Sequence, residues 1–199
     1  NWQFAPFNFS IAPNDESGTT PNVALKPSGT EVGKTITLTA SAFPNWVNAE
    51  FYIVGERVIH TAKTWRALTD NKGSEPSASN NNWEVVTDED SSVFTANDVG
   101  ALVIINSGQV KITEYVNATQ VKAEVLIKLN ADVQAIAKSW TLKVSSFDVN
   151  SGYPRSVCIF KQRLVLANTK SSPNHIWFSR IGDDSSFLES AEDADAFSI

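Results

Sequence analysis

The side chains with chemistry to offer gather near the end of the chain. Asp183, Asp184, Glu189, Glu192, Asp193 and Asp195 crowd into residues 183–195. Carboxylates at close quarters serve as the acid–base pair of a hydrolase or as oxygen ligands for calcium. Their spacing follows neither a regular metal loop nor a defined acid–base pair. A solvated acidic face, or a surface that meets a basic partner, is the expected role. A thiol nucleophile needs a base beside it. Cys158 is the single cysteine, and His60 and His175 stand far apart in sequence. Between Val157 and Ile159, Cys158 is expected to be a buried small hydrophobe, and stability must come from packing rather than from an internal disulfide. Arg155, Arg163 and Arg180 have two readings: ion pairs with Asp183 and Asp184, or a face toward a neighbouring subunit, where the planar guanidinium is favoured. There is no Gly-rich phosphate loop after a strand, no zinc-ligand spacing and no Gly-x-Ser-x-Gly. The expectation is a protein that is not an enzyme and needs no cofactor or metal.

The elements that must position these residues read as strands. The 199 residues, with 42% apolar content and a net charge of −6, allow one large all-β domain or two to three small ones. The basic residues are scattered and the balance is acidic, which argues against coating nucleic acid. No apolar run reaches transmembrane length. The chain begins Asn-Trp-Gln and contains no Met, so an internal piece of a longer protein is expected, rather than a processed mature chain.

Trp2, Phe4, Phe7 and Phe9 suit an extended segment, and Ile11 to Pro21 a loop. Val23 to Ala42 reads as a hairpin, with Val23, Leu25, Ile36, Leu38 and Ala40 alternating with polar neighbours. Val93 to Leu142 reads as a second small β-domain, in which only Ala131 to Lys138, free of breakers, looks helical. In the last quarter, Val157 to Phe160 and Leu164 to Ala167 flank Lys161-Gln162-Arg163, and His175 to Ser179 forms a third run. Strand–turn–strand punctuation of this kind implies a sheet or propeller blade with one face buried. Breaks are expected near 45–50, 88–93 and 145–152.

Several rare residues occur together in that last quarter: Tyr153-Pro154-Arg155, then Phe160-x-Gln162-Arg163-Leu164-Val165, then Asn174-x-Ile176-Trp177-x-Ser179-Arg180-x-Gly182-Asp183, then Asp193-Ala194-Asp195. This order resembles the tubular, nozzle-forming tail proteins of short-tailed bacteriophages. Residues 25–41, from Leu25-Lys26-Pro27-Ser28-Gly29 to Gly33-Lys34-Thr35-Ile36-Thr37-Leu38-Thr39-Ala40-Ser41, are similar to the segment that enters the small β-domains of those proteins. Tyr52-x-x-Gly55-Glu56-Arg57-Val58, Lys63-Thr64-Trp65-Arg66-Ala67, Glu75-Pro76 and Trp83-Glu84 resemble the small chitin-binding modules. That likeness implies sugar stacking on Tyr52, Trp65 and Trp83, although the loop Asp70 to Ser74 lacks the modules' further aromatics. The competing reading is that Trp65 and Trp83 pin together a module too small for a generous core. Phe94-Thr95-x-x-Asp98-Val99-Gly100 with Gly108-x-Val110-x-Ile112-Thr113 resembles a small barrel of phage proteins that is likened to a half-domain of ubiquitin-activating enzymes, and only the barrel is implied. Asn117-Ala118-Thr119 is formally a glycosylation sequon and is read as a plain turn.

Together these imply an all-β chain, with several small SH3-like or barrel-like domains inserted in a larger, propeller-like β scaffold. The expected divisions are 1–48 (scaffold strand and entry hairpin), 49–90 (carbohydrate-binding-like module), 91–148 (small barrel) and 149–199 (return to the scaffold). The termini are expected to meet, with Phe4, Phe7 or Phe9 near Val157, Leu164 or Trp177, and unpaired edges there to favour self-association. The implied role is a structural component of a phage tail, located in the virion, with other copies of itself and other tail proteins as partners. No sequence-specific nucleic-acid contact and no membrane span are expected. The alternative is a module that binds host-surface glycan.

Overall fold

The structure, a computed structural model, describes residues 13, 18–86, 92–144, 146–147, 152–189 and 193–199. It is all-β, and the one helical element among these residues is a short 3-10 turn, Ala96–Asp98. The chain divides into two compact units, Thr19–Leu142 and a second that takes both ends of the chain, Asn1–Gly18 with Lys143–Ile199. The expected contacts of Trp2, Phe4, Phe7 and Phe9 lie outside the described residues, as does most of the 88–93 and 145–152 breaks.

In the Thr19–Leu142 unit the strands are β1 (Leu25–Pro27), β2 (Thr35–Ala40), β3 (Phe51–Tyr52), β4 (Arg57–His60), β5 (Lys63–Ala67), β6 (Asn71–Lys72), β7 (Trp83–Val85), β8 (Leu102–Ile105), β9 (Gly108–Asn117), β10 (Gln120–Ile127) and β11 (Thr141–Lys143). One six-stranded sheet runs β1-β2-β10-β9-β8-β11. The hairpin read at Val23 to Ala42 thus contributes two of its strands. Period-two alternation turns Ile36, Leu38 and Ala40 of β2 and Val121, Ala123 and Val125 of β10 into the core. Phe94 and Trp140 close that core, their centroids 6.1 Å apart. The Trp140 indole donates to the Val23 carbonyl at 2.8 Å, so its polar edge is satisfied while its rings are buried. Between β9 and β10, the Asn117 Oδ1 accepts from the Thr119 N–H at 3.0 Å, a local turn bond.

Three two-residue hairpin loops hold both residues in the left-handed region: Thr61–Ala62 (φ 50° and 58°), Asn106–Ser107 (48° and 61°) and Lys161–Gln162 (48° and 62°). Such loops match the twist of the strands they join and favour Asn and Gly. Only Asn106 among these six is of a favoured type. Gly108, just after the second loop, has a different reason: a Cβ there would lie 2.5 Å and 2.6 Å from the carbonyl oxygens of Lys128 and Ile127.

The helix expected at Ala131 to Lys138 does not form. The stretch is an irregular loop whose backbone is satisfied by tertiary partners. Leu25 and Ala135 exchange N–H···O bonds of 3.0 Å and 2.8 Å, and the Lys138 N–H donates to the Pro21 carbonyl at 2.9 Å. The Asn106 amide donates to the carbonyls of Ala131 and Val133 at 2.9 Å each. Lack of a breaker is no helix signal without a long apolar face, and so short a run has little helical stability of its own.

The described strands of the second unit are β12 (Ser156–Phe160), β13 (Arg163–Ala167), β14 (Ile176–Phe178) and β15 (Phe197–Ser198), antiparallel and adjacent in chain order. Its core is Leu164, Leu166, Trp177, Phe187 and Ala196, with Phe147 packed against it, edge-on to Trp177 at 5.1 Å. The Ser146 N–H donates to the Pro13 carbonyl at 2.8 Å.

Candidate functional site

Tyr52, Trp65 and Trp83 come together, but as a core. They form a separate buried cluster with Val58 and Ala67, on the three-stranded sheet β4-β5-β7 and the β3–β6 pair. Their exposures are 5%, 4% and 4%. Tyr52 meets Trp83 edge to face at 5.4 Å. Each polar handle is used locally. The Tyr52 hydroxyl accepts from the Val47 N–H at 2.7 Å, the Trp65 indole donates to the His60 carbonyl at 3.1 Å, and the Trp83 indole donates to the Ser74 carbonyl at 2.8 Å. A sugar-stacking ring presents a flat face to solvent, and none of these three does. Burial, not display, accounts for the aromatic pattern that sequence linked to sugar. Glu56, also buried, accepts from the Ile53 N–H at 3.0 Å and forms an ion pair with Lys138.

The arginines of the last quarter separate into three roles. Arg163 is buried and gives its guanidinium to backbone carbonyls: Nη1 donates to Ser179 and, at 2.7 Å, to Asp195, while Nη2 donates to Asp193 at 2.8 Å. It also lies 5.2 Å from the Phe197 ring centroid. A planar five-donor head is suited to gathering several oxygens in this way. Arg180 pairs with Asp195 at 3.2 Å. Asp183 instead accepts from the Ser185 N–H and hydroxyl at 3.0 Å and 2.8 Å, a local turn. Among the described residues, Arg163 therefore reaches the backbone carbonyls of Asp193 and Asp195, and Arg180 pairs with the Asp195 carboxylate rather than with those of Asp183 and Asp184. Arg155 is exposed just before β12. Ser179, one of the residues that carry the resemblance, is fully buried, and its hydroxyl accepts from the Leu164 N–H at 2.9 Å.

Glu192 lies outside the described residues. Among the described residues no three His, Cys, Asp or Glu side chains group so as to hold a metal ion, and no helix is long and apolar enough to cross a membrane.

Cys158 is exposed, contrary to the buried hydrophobe expected of it. The reason is its strand: β12 is the edge of its sheet, and all five of its residues are exposed. An apolar tetrapeptide reads as buried on both faces, and only the topology shows that nothing among the described residues covers it.

Compared with protein-family models and with curated proteins, the chain matches none.

Proposed function

We propose that the chain is a structural, non-enzymatic component of a bacteriophage tail, of the tubular or nozzle kind, acting in virion assembly around the DNA exit path. One observation carries this reading. Several of the residues that give the last quarter its resemblance to tail proteins, Gln162, Arg163, Ser179 and Gly182, tie its strands and loops together. Arg163 draws the end of β14 and the Asp193–Asp195 segment together. The Gln162 carbonyl accepts from the Gly182 N–H at 2.8 Å, and Ser179 bonds to Leu164 across the β13–β14 pair. A resemblance carried by residues that tie one small sheet together is a resemblance of scaffold. It supports a role in assembly and lends nothing to catalysis.

Partners under this reading are other copies of the chain and other tail proteins. Sugar binding through Tyr52, Trp65 and Trp83 draws no support from their burial. The test is gold-labelled antibody raised against this chain and applied to purified virions. Label confined to the tail is expected. Virions free of label, with the antigen detected only in the infected-cell lysate, would end the proposal.

A further inference from the structure

The β12–β13 hairpin fixes which backbone groups of β12 face away from β13. Its two-residue loop closes on the pair Phe160–Arg163. In such a hairpin the closing pair exchanges both hydrogen bonds, and bonded pairs then alternate. Cys158–Val165 and Ser156–Ala167 are the next bonded pairs. The far side of β13 agrees: the Ser179 N–H donates to the Leu164 carbonyl and the Asn168 N–H to the His175 carbonyl, so even-numbered residues of β13 turn to β14 and odd-numbered ones to β12. Val157 and Ile159 therefore direct their N–H and C=O groups away from β13, along an edge that no other described strand pairs.

Their side chains are equally open. Val157 and Ile159 stand opposite Leu166 and Leu164, on the face that bears the core, yet are 69% and 68% exposed. Native edge strands are usually blunted by charge, proline, a bulge or brevity. Within Ser156–Phe160 there is no charge and no proline, and the register with β13 is unbroken. The charges stand just outside it: Arg155 at one end and Lys161 at the other, both exposed and without an ion pair among the described residues.

We propose that β12 is the docking edge for an extended strand of a different protein chain, one that reads acidic-x-apolar-x-apolar-x-acidic. The two apolar residues lie beside Val157 and Ile159, and the carboxylates reach Arg155 and Lys161. This rests on the assembly reading above and names the chemistry of one partner. A second copy is disfavoured by charge. Antiparallel pairing of β12 with itself about Cys158 matches Val157 to Ile159, but it sets Arg155 opposite Lys161 of the other copy at both ends. Among these 199 residues the spacing occurs at Glu50, Tyr52, Val54 and Glu56, where Tyr52 and Glu56 are buried in their own module.

The test uses the full 199-residue chain and two fluorescein-labelled peptides, Glu-Thr-Val-Thr-Val-Thr-Glu and its Lys-ended counterpart, followed by anisotropy to millimolar concentration. The acidic peptide is expected to bind roughly tenfold more tightly, as two exposed ion pairs allow, and to lose that margin in high salt. Ile159→Pro should abolish binding and leave the circular dichroism spectrum unchanged, because the lost N–H serves no bond to β13. Arg155→Glu with Lys161→Glu should reverse the preference even if the proline variant misfolds. Equal affinity for the two peptides, binding of neither, or binding that survives Ile159→Pro in a folded protein would overturn the proposal. So would a dimer in sedimentation velocity that Ile159→Pro dissolves, since the occupant would then be a second copy. Peptide failure leaves the antibody result on virions standing, and peptide binding without tail labelling would leave a strand-docking protein of another assembly.

Discussion

Trp83→Ala separates a core aromatic from a sugar platform more sharply than any binding assay. Trp83 is 4% exposed and packs, among the described residues, with the buried Tyr52, Val58, Trp65 and Ala67 and the partly buried Trp46. An aromatic side chain of this size takes about 150–250 Å² out of water, worth about 4–6 kcal/mol at ~25 cal/mol per Å². The alanine methyl keeps a little of that, which gives about 3–5 kcal/mol, the usual range for removing a core tryptophan. Loss of the 2.8 Å bond to the Ser74 carbonyl adds roughly 1 kcal/mol. So small a cluster has little left after such a loss, and it is separate from the Phe94–Trp140 core. The expected result is local: hydrogen-exchange protection disappears from the β5–β7 ladder while β9 and β10 keep theirs. The assay is native-state hydrogen exchange with urea unfolding followed by circular dichroism. A displayed stacking ring would behave in the opposite way, with stability unchanged within about 0.5 kcal/mol. That outcome would refute the core assignment and restore the sugar reading.

Gly108→Ala should destabilise the Thr19–Leu142 unit by about 1–3 kcal/mol or more, because its Cβ would press on backbone carbonyls that cannot rotate away; a thermal midpoint no lower than that of the parent would count against the geometry. Replacing Lys161 and Gln162 by Asn and Gly should stabilise the β12–β13 hairpin by about 1–2 kcal/mol, since two left-handed residues would be exchanged for types that accept that conformation; exchange rates of the β13 amides report it, and unchanged rates would count against it. The Glu31 carboxyl lies below its ordinary value, chiefly through its hydrogen bond to Lys128, 3.0 Å away, and then through that ammonium's charge. Its contribution to stability is therefore present above the unfolded-state value and is lost as pH falls through the lowered folded-state value. Lys128→Ala should bring its carbon-13 titration back up toward an ordinary glutamate, and an unmoved titration would show that the pair does not hold in solution.

Strand positions were legible because a half-buried strand writes its faces into the sequence. Ile36, Leu38 and Ala40, and Val121, Ala123 and Val125, alternate as the core requires, and Leu164 to Ala167 and Ile176 to Phe178 are the apolar runs the sequence displays. What local pattern cannot carry is which strand becomes an edge. Val157 to Phe160 looks more buried than Leu25 to Pro27, yet the first is open to water and the second has Leu25 and Pro27 buried. The loop at Ala131 to Lys138 fails for a related reason: its backbone is held by Leu25, Pro21 and Asn106, all far away in sequence. Arg163 was legible as a candidate, but its three carbonyl acceptors were not, because backbone oxygens have no residue type.

The open edge and the buried arginine bear on each other. β13 does not need β12 for its core: Leu164 and Leu166 are buried by Trp177, Phe187 and Ala196, and Arg163 fastens the far end of the sheet. β12 is thus held by one ladder and can stay open without loosening what lies behind it. Docking would bury the remaining surface of Val157, Ile159 and Phe160, about 1–2 kcal/mol each, or roughly 3–6 kcal/mol in all. Association costs about 4–15 kcal/mol in lost freedom. Together with a new hydrogen-bond ladder at about 1 kcal/mol per bond, apolar contact comes out close to that cost, enough to hold a free strand only weakly. The edge becomes an effective contact when its partner is already held nearby by other surfaces, where effective concentration replaces most of that cost. This is the situation of a subunit within a larger assembly. A synthetic peptide should therefore bind only weakly, while the same strand fused to this chain through a flexible linker should occupy the edge almost fully. Fusion that leaves the Val157 and Ile159 amides exchanging as fast as before would show that the edge is closed to strands altogether.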